Sequence, residues 1–185
     1  MTVVKGDFCK AFDLLIYNEG GFVNNPNDAG GATKYGISSR SYPNVDIANL
    51  TLEQAQEIYK RDYWHKSGAD RFMTCKAVQV FDAAVMEGVY TAVKRAQSIA
   101  NQVTRHDIAE DGIVGPKTLQ AVQNANAAEF AYRYADARLA YLQQLDDWQH
   151  FGTGWQRRVT RVLTYAVLQI EDRHKTIWLN SLTGA

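Results

Sequence analysis

Apolar residues recur at helical spacing over most of this chain, and the places where they stop doing so are as informative as the places where they continue. Phe8, Ala11, Phe12, Leu15 and Ile16 fall on one face at intervals of three and four, which predicts a helix over 5–18. Gly20 and Gly21 should end it, because glycine tolerates the left-handed backbone past a helix terminus. Thr51 followed by Gln54 is a capping-box pair opening a helix that runs to about Trp64. Ala77, Val78, Phe81, Ala84 and Val85 mark a helix over 74–87, and a further one spans 89–103. Pro116, favoured at the first helical position, starts a helix over 116–125. The stripe Phe130, Tyr134, Ala137, Tyr141, Leu145 predicts 127–146. The stripe Trp155, Val159, Val162, Leu163, Ala166, Ile170 predicts 154–172.

Between Phe22 and Ser39 the helical period is lost. Short extended pieces are broken by Asn-Pro, Asp-Ala-Gly-Gly and Tyr-Gly, which predicts an irregular hairpin of two or three strands. The fold class is therefore mainly α (α+β): a helical body with one small β-hairpin insert. We divide it into an N-terminal region, 1–88, and a C-terminal helical region, 89–185, packed as one globular unit. There is no internal repeat and no low-complexity tract.

Composition changes this picture little. Twenty basic residues balance twenty acidic ones in a chain of 185, with no long run of either sign, which argues against a nucleic-acid binder. No stretch approaches the roughly 18 consecutive apolar residues of a membrane-spanning helix, so no stable membrane insertion is expected. The first residues lack the apolar core of a signal peptide, and the expected site of synthesis is a cytoplasm. Cys9 and Cys75 are expected there as reduced, mostly buried residues.

The break in the helical pattern holds the suggestive chemistry. Glu19 ends the first apolar helix, Asp28 follows nine residues later, and Thr33 five after that, in sequence rich in glycine and asparagine. Cleaving an acetal needs one group to protonate the leaving oxygen and another to hold water on the opposite face of the sugar. Glu19 sits beside an apolar face and at the negative end of a helix dipole, both of which favour its protonated form. Asp28, flanked by Asn27 and by Gly30 and Gly31, is better solvated and should stay ionised. Thr33 offers a hydroxyl to share a water with it. Gly30 and Gly31 permit a polymer to approach closely, and Tyr35 offers an aromatic face to a pyranose ring. A helix end followed by a turn explains the same residue types one by one; it does not explain their combination.

The string from Glu19 to Ile37, E-G-G-aromatic-V-x-x-P-x-D-x-G-G-x-T-x-x-G-I, resembles the N-terminal signature of the glycoside hydrolase family 108 lysozymes, N-acetylmuramidases common among phage endolysins. The Glu, Asp, Thr order is also similar to the catalytic triad of phage T4-type lysozymes, with the aspartate-to-threonine spacing one residue shorter. Phe81 to Val85 resembles a second block of the family, which usually continues Asn-x-Gly where this chain reads Met86, Glu87, Gly88. Asp111, Gly112, Gly115, Pro116 and Thr118, with Gly154, Trp155 and Arg158 beyond, resemble a helical region described as peptidoglycan-binding. The resemblance implies a lysozyme-like fold and an endolysin that hydrolyses the β-1,4 bond between N-acetylmuramic acid and N-acetylglucosamine. It makes Glu19 the acid and Asp28 and Thr33 its partners, with bacterial peptidoglycan as the partner polymer and no cofactor. It also implies a monomer that reaches the wall through a separate holin-type pore.

Other chemistries find less support. The four histidines are far apart and no Cys-x-x-Cys exists, so no metal site is expected. No Gly-x-Ser-x-Gly elbow or phosphate-binding glycine loop is present. Asp82 and Glu87 are candidates for a cleft, although Asp82 reads better as a buried carboxylate tying helices together. Trp64 reads as core, and Arg157, Arg158 and Arg161 as a solvated helix face with ion pairs. Asp111 to Thr118 reads as a turn and helix start or as a wall-binding surface. Two further functions remain open at this level: a lytic transglycosylase, which needs no water-holding aspartate, and a non-catalytic wall-binding module. If Asp28 only holds water, the reaction should invert the anomeric centre, with the carboxyls roughly 6.5–9.5 Å apart.

Overall fold

The computed structural model of the chain describes residues 6–19, 32–105 and 107–183, with side chains throughout these except at 17–19, 173 and 176–183. Among the described residues seven α-helices dominate: α1 (Phe8–Glu19), α2 (Leu52–Tyr59), α3 (Thr74–Glu87), α4 (Val89–Thr104), α5 (Pro116–Asn124), α6 (Ala127–Leu142) and α7 (Trp148–Thr183). Two short antiparallel strands, β1 (Thr33–Lys34) and β2 (Ile37–Ser38), pair Thr33 with Ser38 and Lys34 with Ile37. This is a lysozyme-like α+β fold.

Helix α1 begins three residues later than its apolar pattern suggested. The Asp7 carboxylate accepts the amide of Cys9 at 3.0 Å, satisfying a donor that the first helical turn leaves without a partner. Gly6 stays outside the helix, its amide bound to the Phe72 carbonyl at 2.9 Å. A Cβ there would stand 2.6 Å from that of Ala77 and 2.8 Å from the Trp64 ring, so only glycine fits. The apolar face then packs ring on ring: Phe8 lies 5.6 Å from Trp64 and 5.9 Å from Phe81, and Phe12 lies 5.7 Å from Tyr59. Trp64 is 2% exposed and belongs to this core.

Helix α2 opens with the full capping box: the Gln54 amide binds the Thr51 hydroxyl, and the Thr51 amide binds the Gln54 side chain. Its last turn widens into a π-helical segment over Lys60–Trp64, which keeps the helical run going to Trp64 as the pattern indicated.

Helix α3 is buried along its length from Thr74 to Ala84 and packs against α1, α4, α6 and α7. A helix covered all round carries apolar residues all round, and α3 departs from that rule at Lys76, Gln79 and Asp82, all buried. Lys76 has left water entirely. Its ammonium donates to the carbonyls of Val122 and Ala125, each at 2.6 Å, and so caps the C-terminal end of α5.

Helix α7 departs furthest from expectation. It starts at Trp148 rather than 154 and continues beyond 172 to Thr183. Gly152 and Gly154 hide the early start from sequence reading, because glycine ordinarily weakens a helix. Here Gly152 makes room: a Cβ would lie 2.6 Å from the Trp148 ring, which folds back across it. Helix α6 in turn ends at Leu142, four residues early, and Leu145 packs from the following turn. A continuous core joins Ala11 of α1 to Ile170 of α7.

Candidate active site

Glu19 is the last residue of α1, where the pattern placed it; its side chain, together with Asp28, Gly30 and Gly31, lies outside the described residues. Thr33 is half-buried on β1, and Tyr35 occupies the turn between the strands. The two turn residues, Tyr35 and Gly36, have φ of 52° and 74°. That is the signature of the two-residue hairpin turn whose twist matches the flanking strands, a turn that normally takes Asn-Gly. A tyrosine in the first position is sterically disfavoured there, and neighbouring groups hold it. The Tyr59 hydroxyl donates to the Tyr35 carbonyl at 2.9 Å, and the Lys34 ammonium stands 5.7 Å from the Tyr35 ring centre.

Further ties dock the hairpin on the helical body. Lys34 donates to the Ala48 carbonyl at 3.1 Å, the Ser39 amide to the Ala32 carbonyl at 3.0 Å, and Ile37 is buried in the core. Beyond the hairpin, the Tyr42 hydroxyl donates to Asp62 at 3.2 Å. Asp62 also binds Arg61 at 2.5 Å and Lys66 at 2.9 Å. The Arg61 hydrogen bond, with Lys66 behind it, holds the Asp62 carboxyl well below the usual range. Burial pushes the Tyr42 phenol in the other direction, with Tyr63 and Asp62 adding to the effect. Asp62 is thus an anion and Tyr42 a neutral donor at neutral pH. Neither was legible in the sequence, where Lys60 to Trp64 reads as the end of an amphipathic helix. A solvent-open groove of about 680 Å³ is lined by Asp46, Glu53, Glu57 and Arg61 together with Val45, Leu50 and Ile58.

Asp82 and Glu87 are not cleft residues. Asp82 binds Arg138 of α6 at 2.6 Å and Arg158 of α7 at 2.9 Å. Glu87 binds Arg138 and Arg95 of α4, each at 2.6 Å. Two anions and three cations therefore tie α3 to α4, α6 and α7, as the reading of Asp82 anticipated. Met86, which stands where the family's second block usually has asparagine, borders the same network, with its sulfur 3.1 Å from an Arg138 nitrogen. Arg158 corrects the solvated-face reading: its guanidinium turns inward to Asp82, whereas Arg157 and Arg161 are exposed.

The stretch from Asp111 to Thr118 is built around one buried amide. Gln97 donates to Asp111 at 2.8 Å, to the Ile113 carbonyl at 3.0 Å and to Thr118 at 3.0 Å, and accepts the Gly112 amide at 2.8 Å. The Gln97 bond lowers the Asp111 pKa. Structure thus accounts for Asp111, Gly112 and Thr118 without a ligand, while Ile113 remains 67% exposed on the loop they hold. Cys9 is exposed and Cys75 buried, and neither is in a disulfide, so the expectation of reduced, mostly buried cysteines holds for burial at Cys75 alone.

A helical body carrying a short hairpin, tied down beyond the end of its first helix, is the architecture of a lysozyme-like glycosidase. Residues 12–88 match the glycosyl hydrolase 108 model, and residues 91–160 match that of a predicted peptidoglycan domain. The chain is also similar to the structure of Brucella abortus SagA, at 34% identity over 87% of this chain and 94% of that one, with a TM-score of 0.75. No curated protein matches. The chain belongs to the glycosyl hydrolase 108 family. It is a glycosidase with peptidoglycan as its substrate. Among the described residues no helix is long and apolar enough to cross a membrane.

Proposed function

We propose that this glycosidase is a muramidase of the endolysin kind, cleaving the β-1,4 bond between N-acetylmuramic acid and N-acetylglucosamine. The Glu19 carboxyl gives its proton to the glycosidic oxygen as the bond from that oxygen to the anomeric carbon breaks. A water held by Asp28 and Thr33 attacks the opposite face, its oxygen bonding to the anomeric carbon and its proton passing to Asp28. That course inverts the anomeric centre. The order of parts along the family-matched segment carries the reading: Glu19 closes α1, and Thr33 follows on a hairpin anchored to the core through Tyr59. We further propose that the enzyme is made in a cytoplasm and reaches the wall through a holin-type pore.

Glu19→Gln keeps the shape of the side chain and removes the proton donor. Loss of a general acid costs about a hundredfold or more in rate, so turbidity clearing of a wall suspension should nearly stop. Clearing at the wild-type rate would show that Glu19 is not the acid. Mass spectrometry of the muropeptides released by wild type decides the chemistry: reducing ends support hydrolysis, and 1,6-anhydro ends would replace it with a transglycosylase.

A further inference from the structure

Tyr59 occupies a position that its burial alone does not account for. Its ring lies against Phe12 of α1, with centres 5.7 Å apart, seven residues before Glu19 in the same helix. Its hydroxyl reaches the other way and donates to the Tyr35 carbonyl at 2.9 Å, two residues beyond Thr33. One side chain thus touches both elements on which the proposed acid and the proposed water holder are mounted. The carbonyl it binds belongs to the left-handed tyrosine of the turn, a backbone state that an L-residue with a bulky side chain reaches only when its surroundings hold it. A turn of this type sets the strand register, and here the register places Thr33 opposite Ser38.

We infer that Tyr59 is a positioning residue of the hydrolytic site: its hydroxyl locks the Tyr35 turn and so fixes Thr33 relative to α1. This rests on the proposed role of Thr33. A core tyrosine of purely structural use needs some acceptor for its hydroxyl, and here it holds the carbonyl whose release would let the hairpin relax. Neighbouring rings make a conservative variant feasible, since Tyr63 and Phe12 both pack against the Tyr59 ring, at 5.6 and 5.7 Å between centres. Tyr59→Phe therefore removes the tie and leaves the packing.

The test compares wild type, Tyr59→Phe, Thr33→Ala, the double variant and Glu19→Gln on purified peptidoglycan, with circular dichroism to confirm folding. Tyr59→Phe should lower kcat about tenfold with KM nearly unchanged, the scale expected when a reacting group is misplaced by a fraction of an ångström. In the Thr33→Ala background the same change should cost less than about twofold, because groups acting as a unit are not additive. Amide exchange of Lys34 and Ser39 should quicken in Tyr59→Phe while that of α3 does not. Equal losses in both backgrounds, an unchanged kcat, or uniform loss of exchange protection would each overturn the proposal. A fully active Thr33→Ala would overturn it too, whereas a fully active Glu19→Gln would instead remove the acid assignment, so the two failures are separable.

Discussion

Removing Arg138 should reveal how much of this fold depends on the ion network that joins α3 to the three helices around it. Arg138 is 1% exposed and makes two charge-assisted bonds of 2.6 Å, one to Asp82 and one to Glu87, with its remaining nitrogen against the Met86 sulfur at 3.1 Å. Burial alone would lower its pKa, but the fields of Asp82 and Glu87 together outweigh that and raise it, so it is a fixed cation. Arg138→Met keeps most of the volume. It leaves Asp82 with Arg158 and Glu87 with Arg95, each carboxylate short of one partner in a site that water does not reach. Breaking a buried pair from one side typically costs about 3–5 kcal/mol. For a chain of this size each kcal/mol lowers Tm by roughly 2–4 °C, which gives a loss of about 6–20 °C. Asp82→Leu should cost more, because it leaves three arginines facing one glutamate, whereas Arg138→Met leaves two of each sign. Thermal unfolding followed by circular dichroism at neutral pH measures both, and added salt should change the losses little because buried pairs are weakly screened. A shift below about 3 °C for Arg138→Met, or a milder effect of Asp82→Leu, would refute the reasoning.

Other substitutions test separate parts of the same account. Lys76→Met should destabilise by about 2–4 kcal/mol in chemical denaturation, since two buried carbonyls at the end of α5 lose their donor, and amide exchange near Val122 and Ala125 should rise with it. Asp62 has a folded-state pKa held below its unfolded value, so its contribution is complete above the ordinary carboxylate range and is lost as pH falls through and below it. Melting temperatures of Asp62→Asn should accordingly fall less steeply than wild type below about pH 4, and equal slopes would dismiss that contribution.

Much of the helical body was legible because one-dimensional rules suffice for it. Period, caps and breakers placed α3, α4 and α5 to within a residue or two, the run from α2 through its π-helical turn ended at Trp64 as expected, and the capping box of Thr51 and Gln54 formed as read. The errors share a cause. Gly6 fell inside the helix expected over 5–18 and Gly152 outside the one expected over 154–172, and in both cases the partner that decides is distant or folded back: Trp64 and Ala77 for the first, the Trp148 ring for the second. Local propensity does not contain that information. The same holds for Lys76, an ordinary surface residue by type, which is buried only because the end of α5 presents carbonyls to it.

The candidate site divides in the same way. Residue types and spacing, together with the family resemblance, pointed to Glu19, Asp28 and Thr33 as the proposed acid and water holders, because such parts in a glycine-rich setting can be written along a chain. Spacing also put Glu19 at the end of a helix, where it is. What sequence left open was how the hairpin is held. Tyr59 is one of several apolar positions on α2, and Asp62 one charge in a mixed run; nothing local marks either. Only the packing of α2 between α1 and the hairpin turns the Tyr59 hydroxyl toward the Tyr35 carbonyl, and only the cluster of Arg61, Lys66 and Tyr42 makes Asp62 a fixed anion. Which residue types are available for the proposed chemistry was determined by the sequence itself, whereas orientation and charge state depend on neighbours far away in the chain, and tertiary structure decided those.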